Sequence, residues 1–363
     1  MQTADVVIIG AGIVGSATAL ELTRRGKRVV LVDRFALGHS RGSSHGPTRA
    51  FRLSYEDAMY AELGIQALED WRRLERDLGT ELLDRCGGLD IGKDALACAD
   101  AMSSAGVVCE RIEPADVLKR FGVIVGEDEP CIWQPDAAVI DAASSLEGQL
   151  TLAAQAGCEI KEEAQVLSIN IGEHAATVST SAGDIDCADV VIAAGPWVRP
   201  VAAQAGFDVE VFVTKEQVTY FDGLEPAMPI VIDRSASPAR YLVPKRFAAP
   251  GARTGLHHAR VVVDPEEGPF EADEEVADGL GDWLAQRASS PTSRGFKKLS
   301  SEPCMYTNTR DEDFVISRKS RALVVSACSG HGFKFAPRIA RAAADVIDGL
   351  DPDLPGRLGD WWR

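Results

Sequence analysis

The sequence predicts an α/β protein of two domains, in which an antiparallel sheet is inserted into a domain built on a parallel sheet. Three observations predict this fold class. A glycine-rich turn at residues 10–15 separates two short apolar runs, and the apolar runs at 189–194 and 322–327 have the composition of buried parallel strands. Between residues 212 and 263 the apolar pattern instead shifts towards a period of two, which is typical of antiparallel strands. A chain of 363 residues also exceeds the length at which a single core stops growing.

The glycine-rich turn belongs to a βαβ unit of the kind that binds dinucleotides. An apolar run is followed by Gly10, Gly12 and Gly15, then by a helical stretch, and then by a second apolar run that ends in Asp33. Gly10 permits a tight turn, Gly12 lets the backbone approach a pyrophosphate, and Gly15 lets the helix pack close to the strand. The N-terminus of the helix then faces the pyrophosphate, and the Asp33 carboxylate can accept hydrogen bonds from a ribose diol. The unit predicts a Rossmann-like dinucleotide-binding domain.

The remaining elements indicate that this domain is interrupted twice. Apolar periodicity predicts helices at 55–78, 142–156 and 274–287, strands at 165–169 and 175–178, the two buried strands given above, and a last helix that ends at Ile347. The stretch from 85 to 133 is mixed and glycine-rich, as in a small inserted lobe. We therefore predict a discontinuous cofactor-binding domain of residues 1–84, 137–206 and 305–363, and a substrate domain of residues 85–136 and 207–304.

The composition argues against several classes of protein. The chain carries 38 Lys and Arg and 55 Asp and Glu, a formal net charge of −17, so we expect no binding to nucleic acid. No apolar run approaches the ~20 residues that span a bilayer, and no secretory leader or peroxisomal tripeptide is evident, so we expect a cytoplasmic protein without membrane association. The eight cysteines are scattered without a CxxC pair, which argues against a bound metal such as zinc and against disulfides.

Three segments carry patterns more specific than the glycine turn. They are residues 42–52 (GSSHGPTRAFR), 303–309 (PCMYTNT) and 329–335 (SGHGFKF). Together they resemble the monomeric sarcosine oxidase and N-methyltryptophan oxidase family, flavoprotein amine oxidases of the D-amino-acid oxidase superfamily, and the resemblance extends over nearly the whole chain. It implies that the cofactor is FAD, not NAD, and that a thioether joins Cys304 to the 8α-methyl group of the flavin. Taken alone, Cys304 would be interpreted as a buried core cysteine.

The resemblance also implies that Arg52 and Lys334 bind the carboxylate of the substrate. An arginine fork and an ammonium group together can hold a carboxylate and orient the carbon next to it. Lys334 follows a glycine-rich turn at the carboxyl end of a predicted sheet strand, where α/β folds place their ligands. The backbone N–H groups of residues 330–332 would stabilise negative charge on the reduced flavin. The residues alone leave open a surface lysine at 334 and an exposed arginine at 52.

The resemblance indicates three further candidate active-site residues. His257 matches a histidine on the substrate sheet; since His258 follows it, alternation along a strand turns only one of the two inward. Tyr241 matches an active-site tyrosine, and a lone tyrosine on a strand is otherwise a core residue. Tyr306 lies two residues after the flavin-linked cysteine.

The resemblance places a longer series of residues against FAD. Arg49 matches an arginine beside the flavin that tunes its electrostatics, and His45 lies in the same loop. Besides the glycines and Asp33 of the βαβ unit, the predicted cofactor-binding residues are Ile13, Val14, Arg34, Ser43, Ser44, Arg49, Val166, Ala194, Gly195, Trp197, Cys304, Met305, Gly330, His331, Gly332, Phe333 and Lys334.

The sequence departs from the family at one position. Where the family carries a lysine four residues before the active-site histidine, poised over the flavin to activate dioxygen, this chain has Arg253. A compact ammonium about 4 Å from developing superoxide supplies about 4 kcal/mol at an effective dielectric constant of about 20, whereas a guanidinium spreads its charge over a planar fork. Lys245 takes that place only if the alignment slips.

These observations predict an FAD-dependent oxidase of a secondary amine that bears a carboxylate, such as an N-methyl or cyclic amino acid. The amine is oxidised to an imine, O₂ reoxidises the flavin with formation of H₂O₂, and the protein is a monomer or a weak oligomer. Two alternatives stay open. A flavin dehydrogenase, or a biosynthetic tailoring enzyme of the same fold, would use another acceptor and would reoxidise slowly in air. In a non-catalytic dinucleotide-binding module, no amine would reduce the flavin.

Overall fold

The structure is a computed structural model that describes residues 2–225, 227–259, 261–289, 295–326 and 329–356. The helices in these ranges are α1 (Ile13–Arg24), α2 (Ala58–Leu78), α3 (Asp94–Ser104), α4 (Pro114–Phe121), α5 (Ala142–Gln155), α6 (Val198–Gln204), α7 (Glu274–Arg287) and α8 (Ala336–Ile347). Short 3₁₀ turns lie at Gly195–Trp197, Pro265–Glu267 and Gly332–Phe335.

The strands in the same ranges form three sheets. They are β1 (Gln2–Ile9), β2 (Val29–Val32), β3 (Thr48–Phe51), β4 (Leu83–Arg85), β5 (Gly88–Ile91), β6 (Glu110–Arg111), β7 (Cys131–Gln134), β8 (Ala138–Asp141), β9 (Glu159–Lys161), β10 (Val166–Ile171), β11 (Ala176–Thr180), β12 (Gly183–Ile192), β13 (Phe212–Asp222), β14 (Ile230–Asp233), β15 (Arg240–Val243), β16 (Ala252–Leu256), β17 (Val261–Val262), β18 (Lys297–Asn308), β19 (Val315–Lys319) and β20 (Ala322–Ser326).

One of the two large sheets is largely parallel and begins with the strand that precedes the glycine-rich turn. β1 lies between β12 and β2, β9 follows β2, and β20 pairs with the last residues of β12, all in parallel. β11 and β10 add antiparallel strands beside the first residues of β12, and β19 pairs antiparallel with β20. Alternate side chains of β1 pack into different clusters, Ile8 on one face of the sheet and Val7 on the other. Burial on both faces explains why these strands are continuous apolar runs in the sequence.

A second sheet carries the inserted part of the chain. Its order is β17-β13-β16-β15-β14-β5-β7-β6, and β18 pairs with β13 along nearly its whole length. All its pairs are antiparallel except β5 with β14, which joins the first inserted stretch to the second. Leu280, Trp283 and Leu284 of α7 pack on this sheet against Phe221. The predicted fold class, mixed α/β with an antiparallel sheet inserted, is therefore confirmed.

The predicted domain boundaries coincide with connections in some places only. The boundary at 206 falls between α6 and β13, and the one at 84 falls inside the short strand β4. The boundary at 304 falls inside β18, since residues 305–308 continue the ladder with β13. A small third sheet has the order β3-β8-β4, and its strand β3 contacts both β15 of the inserted sheet and the turn at Gly332–Phe335. Ala327, the last residue of the predicted final strand, and residues 357–363 lie outside the described residues.

Membrane-crossing helices were sought among the described residues, and none is both long enough and apolar enough to span a bilayer.

Candidate active site

A cavity of about 980 Å³ lies at the carboxyl ends of β1, β2, β12 and β20 and is covered by the inserted sheet. Its volume is at the upper end of the ~300–1,000 Å³ range of ligand pockets. At one end it is lined by the glycine turn and Asp33, and at the other by Arg52, His257 and Lys334. Every residue that the sequence predicted for the site lines this cavity, except Gly15.

Gly15 acts on the turn without lining the cavity. A Cβ on Gly15 would lie 1.8 Å from the carbonyl oxygen of Gly10, so α1 packs against the turn as closely as a glycine allows. Gly10 has a φ of +103°, and a Cβ there would lie 2.4 Å from the carbonyl oxygen of Ala193. Both positions exclude a side chain: a substitution at Gly15 would push α1 away from the turn, and one at Gly10 would push the turn away from the backbone after β12.

Asp33 and Ser44 fix the backbone of the glycine turn. The Asp33 carboxylate accepts hydrogen bonds from the backbone N–H of Ala11 at 2.7 Å and of Phe35 at 2.9 Å. The Ser44 hydroxyl accepts from the backbone N–H of Ile13, the first residue of α1, at 3.0 Å. An ionised carboxylate has about four acceptor positions, so Asp33 retains the capacity to accept from a ribose diol.

Arg49 cross-links the loop that precedes it. Its guanidinium donates to three backbone carbonyls, those of Ser43 at 2.8 Å, His45 at 2.6 Å and Thr48 at 2.8 Å. Burial, with the nearby charge of Arg253 second, lowers the pKa of Arg49 to about 10. The side chain therefore keeps its charge at neutral pH and holds this part of the cavity wall in one shape.

Cys304 lies on β18 beside this loop. The Ser43 hydroxyl donates to the backbone carbonyl of Met305 at 2.7 Å, so the loop is fastened to the residue that follows the cysteine. Cys304 is partly buried, lines the cavity, and is close enough to Arg49 and Arg253 to interact electrostatically with both. Four buried cysteines lie outside the cavity lining, and burial raises the pKa values of their thiols. These values are about 11 for Cys98, Cys131 and Cys158 and about 12 for Cys187.

Arg52 and Lys334, which we call the cation pair, are both buried, with 8% and 5% of their surface exposed. Neither is the surface residue that the sequence left open. The Arg52 guanidinium donates to the carbonyl and hydroxyl oxygens of Ser54, and Lys334 Nζ donates to the Tyr55 hydroxyl at 2.9 Å and the His331 carbonyl at 3.4 Å. All these partners are neutral. Burial, followed by the charge of Arg52, lowers the pKa of Lys334 well below its usual range, so an anion arriving here would be strongly stabilised.

The inserted sheet supplies the opposite wall of the cavity. His257 lines it, whereas His258 adopts a φ of +63° and places Nε2 3.4 Å from a carboxylate oxygen of Glu312. Only one histidine of the pair therefore faces inward. Burial, and then the nearby His258, lowers the pKa of His257 well below its usual range, so this imidazole is neutral at neutral pH. Burial likewise raises the pKa values of Tyr241 and Tyr306, which keep their protons.

Arg253 occupies the wall next to these groups. It is 7% exposed, donates from Nη1 to the backbone carbonyl of Thr48, and has a buried Nε without a hydrogen-bond partner. On β16 its Cα lies opposite those of Tyr220 and Val243. Lys245 is exposed and lies outside the lining of the cavity. The cation at this wall is therefore a guanidinium.

Sequence reasoning missed several residues of the site. Glu266, from the inserted domain, pairs with Arg34 at 2.5 Å at the nucleotide end, across 232 positions of the chain. Arg240 lines the cavity beside Tyr241, although strand alternation alone would turn one of the two away. Tyr55 follows Arg52 by three residues, so extending the 42–52 segment slightly would have found it. No local sequence pattern marks Glu266 or Arg240, because the packing of distant strands brings them to the cavity.

Known proteins of the family that the three sequence segments resemble are similar to this chain over most of its length. The chain is 29% identical over 364 residues to the monomeric sarcosine oxidase of Streptomyces avermitilis, covering 95% of this chain and 93% of that protein. It is 29% identical over 372 residues to the N-methyl-L-tryptophan oxidase of Salmonella agona, covering 96% of each. The solved structure of L-proline dehydrogenase from P. horikoshii has the same fold, with a TM-score of 0.87 at 21% identity over 100% of this chain and 98% of that one.

A family model described as "DAO: FAD dependent oxidoreductase" matches residues 5–346. This range contains the glycine turn, the inserted sheet and the cation pair, so the match covers the whole cavity. The resemblance inferred from the three sequence segments is confirmed. The chain belongs to the DAO family of FAD-dependent oxidoreductases.

Proposed function

We propose that this enzyme oxidises the C–N bond of a secondary amine that bears a carboxylate, an N-methyl or cyclic amino acid, to an imine. The observation that carries the proposal is the cation pair, two buried positive groups whose hydrogen-bond partners are all neutral. The names of the relatives, sarcosine oxidase and N-methyl-L-tryptophan oxidase, describe substrates of this class and support the same conclusion.

The residues of the cavity fit FAD. The glycine turn excludes side chains where a pyrophosphate would approach, and Asp33 keeps acceptor capacity for a ribose. Arg49 and Cys304 lie at the far end of the same cavity, where the flavin ring would be held. When bound, FAD supplies the two-electron oxidation of the C–N bond.

The side chains at the flavin end bind and orient the substrate. Arg52 and Lys334 hold the carboxylate, and the stabilisation exceeds that of a surface pair because water is largely excluded. His257 is neutral and can accept the proton that a substrate ammonium must lose before oxidation. Tyr241 and Tyr306 keep their hydroxyl protons and can donate hydrogen bonds.

The proposal is tested by anaerobic mixing of the holoenzyme with N-methylglycine, proline and dimethylamine. We expect the two amino acids to bleach the visible flavin absorbance and the amine without a carboxylate to leave it unchanged. Lys334→Met should raise KM by about tenfold or more, because a charged hydrogen bond contributes about 1.5–3 kcal/mol. Bleaching by dimethylamine as fast as by the amino acids would contradict the carboxylate role, and no bleaching by any amine would favour a non-catalytic module.

The electron acceptor follows from the same experiment. We propose O₂ as acceptor, with H₂O₂ as product, which is measured when air is admitted to the bleached enzyme. The presence of Arg253 at this wall favours a second candidate function, a dehydrogenase or tailoring enzyme that uses another acceptor. A guanidinium spreads its charge more widely than an ammonium and so stabilises developing superoxide less. Fast bleaching followed by slow recovery in air, without peroxide, would establish that candidate.

We also propose a covalent thioether between Cys304 and the flavin. Its support is the position of Cys304 on the cavity wall, beside the loop that Arg49 organises. Acid precipitation of the purified enzyme should leave the yellow colour in the pellet, and Cys304→Ser should release it to the supernatant. Cys86→Ser, at another partly buried cysteine that lies outside the cavity lining, is the matched control and should retain the colour. Colour released from the unmodified enzyme would rule out the link.

A further inference from the structure

One side chain, Tyr55, contacts both members of the cation pair. Its hydroxyl oxygen lies 2.9 Å from Lys334 Nζ. The face of its ring lies 4.6 Å from the guanidinium carbon of Arg52 and 5.4 Å from Lys334 Nζ. A cation over the face of an aromatic ring is attracted by the ring's quadrupole, more strongly when the site is buried. Tyr55 therefore interacts with both cations through two different parts of one side chain.

The hydrogen bonds of His331 fix the direction of the Tyr55 hydroxyl. His331 Nε2 lies 3.0 Å from the backbone carbonyl oxygen of Glu312, which can only accept, so Nε2 carries a hydrogen. Burial, followed by the charge of Lys334, lowers the pKa of His331 well below its usual range, so the imidazole is neutral and Nδ1 is an acceptor. Nδ1 lies 3.2 Å from the Tyr55 hydroxyl, which must donate to it. The hydroxyl oxygen is thereby left to accept from Lys334 Nζ.

The hydrogen bonds run from Glu312 through His331 and Tyr55 to Lys334, and the backbone is fixed at both ends of this series. Glu312 adopts a φ of +63°, a conformation that non-glycine residues rarely adopt, and in it directs its carbonyl to His331. Trp71 Nε1 donates to the backbone carbonyl of Lys334 at 2.7 Å. Lys334 is thus held from the main chain on one side and from the Tyr55 hydroxyl on the other.

We propose that Tyr55, oriented by His331, is a positioning residue that holds Arg52 with its ring and the Lys334 ammonium with its hydroxyl oxygen, so that both cations face one carboxylate. The inference rests on the carboxylate-binding role proposed above for the cation pair. It adds a residue that sets the geometry and the protonation of that site without touching the substrate itself.

Burial, followed by the charge of Arg52, lowers the pKa of Lys334 well below its usual value. Among the described residues, the titratable and charged groups that face Lys334 or Tyr55 are Arg52, Cys98, Arg234, His257, His331 and Tyr60, whose ring stacks on Tyr55. Burial raises the pKa of Tyr55 to about 12 and that of Cys98 to about 11, while it lowers the pKa values of both histidines well below the usual range. Removing the Tyr55 hydroxyl removes an acceptor from the ammonium, so the pKa of Lys334 should fall further.

The test compares Tyr55→Phe with Tyr60→Phe in the holoenzyme. Tyr60 is the matched control, because its ring stacks on Tyr55 at 5.1 Å while its buried hydroxyl donates to Asp313 at 2.7 Å, away from the cation pair. Acetic anhydride modifies only the neutral amine, so labelling of Lys334 against pH, read by mass spectrometry, gives its titration midpoint. We expect Tyr55→Phe to lower this midpoint by about one pH unit, the equivalent of losing one charged hydrogen bond, and Tyr60→Phe to leave it unchanged.

A second measurement follows the binding of propanoate by its effect on the flavin spectrum. Binding needs the ammonium, so affinity should be high below the Lys334 midpoint and fall above it. At a pH above both labelling midpoints we expect about tenfold weaker binding in Tyr55→Phe, and a further loss in Tyr55→Leu, which also removes the ring from Arg52. Equal labelling midpoints in the two Phe variants would overturn the inference. Failure of the unmodified enzyme to bind propanoate would instead refute the carboxylate role, while the labelling result would still decide the role of Tyr55.

Discussion

At the residue scale, the chemistry of the cavity depends on how the protein itself uses each cation. Arg49 donates to three backbone carbonyls and serves the loop around it. Arg52 and Lys334 have a few neutral partners and remain available to an anion. Arg253 lies between these extremes, since one nitrogen donates to Thr48 while Nε is buried without a partner. Residue type alone does not distinguish these roles, because arginine occurs in all of them.

Replacement of Arg253 by lysine tests the role of this position in the reaction with O₂. Arg253→Lys should accelerate reoxidation of the bleached enzyme by about tenfold or more, because an ammonium concentrates its charge on one atom close to the flavin end. The measurement is the rate of absorbance recovery after mixing with aerated buffer. Arg240→Lys, the same exchange at another residue lining the cavity, is the control and should leave the rate unchanged. Unchanged or slower recovery in Arg253→Lys would remove charge concentration as the explanation.

Residue-scale prediction from the sequence was most specific where a segment was distinctive and short. The segments around Arg49, Cys304 and Lys334 gave positions that the structure brings into one cavity. Whether these residues perform the predicted roles stays a prediction for the experiments above. Glu266 and Arg240 could not be found this way, because their place at the cavity depends on strand pairing over long distances in the chain.

At the scale of elements, the long helices and the short strands at 165–169 and 175–178 were predicted, whereas short helices were missed. The predicted helix at 274–287 is α7, and the predicted helices at 55–78 and 142–156 are α2 and α5 with ends shifted by at most three residues. The short helices α3 and α4, inside the stretch 85–133, were missed. An eight-residue helix such as α4 buries only Val117 and leaves too few apolar positions to show a period.

A buried ionic network fastens α7 to the inserted sheet. Asp233, at the end of β14, is 1% exposed and accepts hydrogen bonds from Trp283 and Arg287 of α7, each at 2.8 Å. Arg287 also binds the carboxylate of Glu129. Burial alone would raise the pKa of Asp233, but hydrogen bonds from Ser235 and Trp283 outweigh it and hold this pKa below the usual value. The network is therefore a stabilising feature as long as Asp233 is ionised.

Asp233→Asn should lower the free energy of unfolding by about 3 kcal/mol, because it leaves a partly buried Arg287 without its second carboxylate. Chemical denaturation at neutral pH measures the change. A carboxyl with a lowered folded pKa contributes stability above its unfolded pKa and loses it as pH falls through the folded value, so the difference between the two proteins should shrink below about pH 4. Asp136→Asn, which breaks the exposed pair with Arg85, should cost less than about 1 kcal/mol. Equal losses of unfolding free energy in the two variants would mean that the buried network stabilises the fold no more than an exposed ion pair does.

At the scale of the whole molecule, the strands of the different sheets are interleaved along the chain. The antiparallel strands between residues 212 and 263 were anticipated from the change in apolar period. The continuation of β18 past residue 304 and the small sheet β3-β8-β4 were not, because both depend on which strands become neighbours. Hydrophobic periodicity identifies a strand but not its partner, and here the partners are separated by many tens of residues.

The position of β20 beside β12 has a consequence for biosynthesis. The cofactor-binding sheet contains β1 near the start of the chain and β20 from residue 322 onward, and Lys334 follows β20. At about 5–20 residues per second, a ribosome adds Lys334 roughly 16–64 s after Gly15. During that interval the glycine turn exists without the strand and loop that complete its cavity. The cavity that would hold FAD is therefore complete only after translation has passed Lys334.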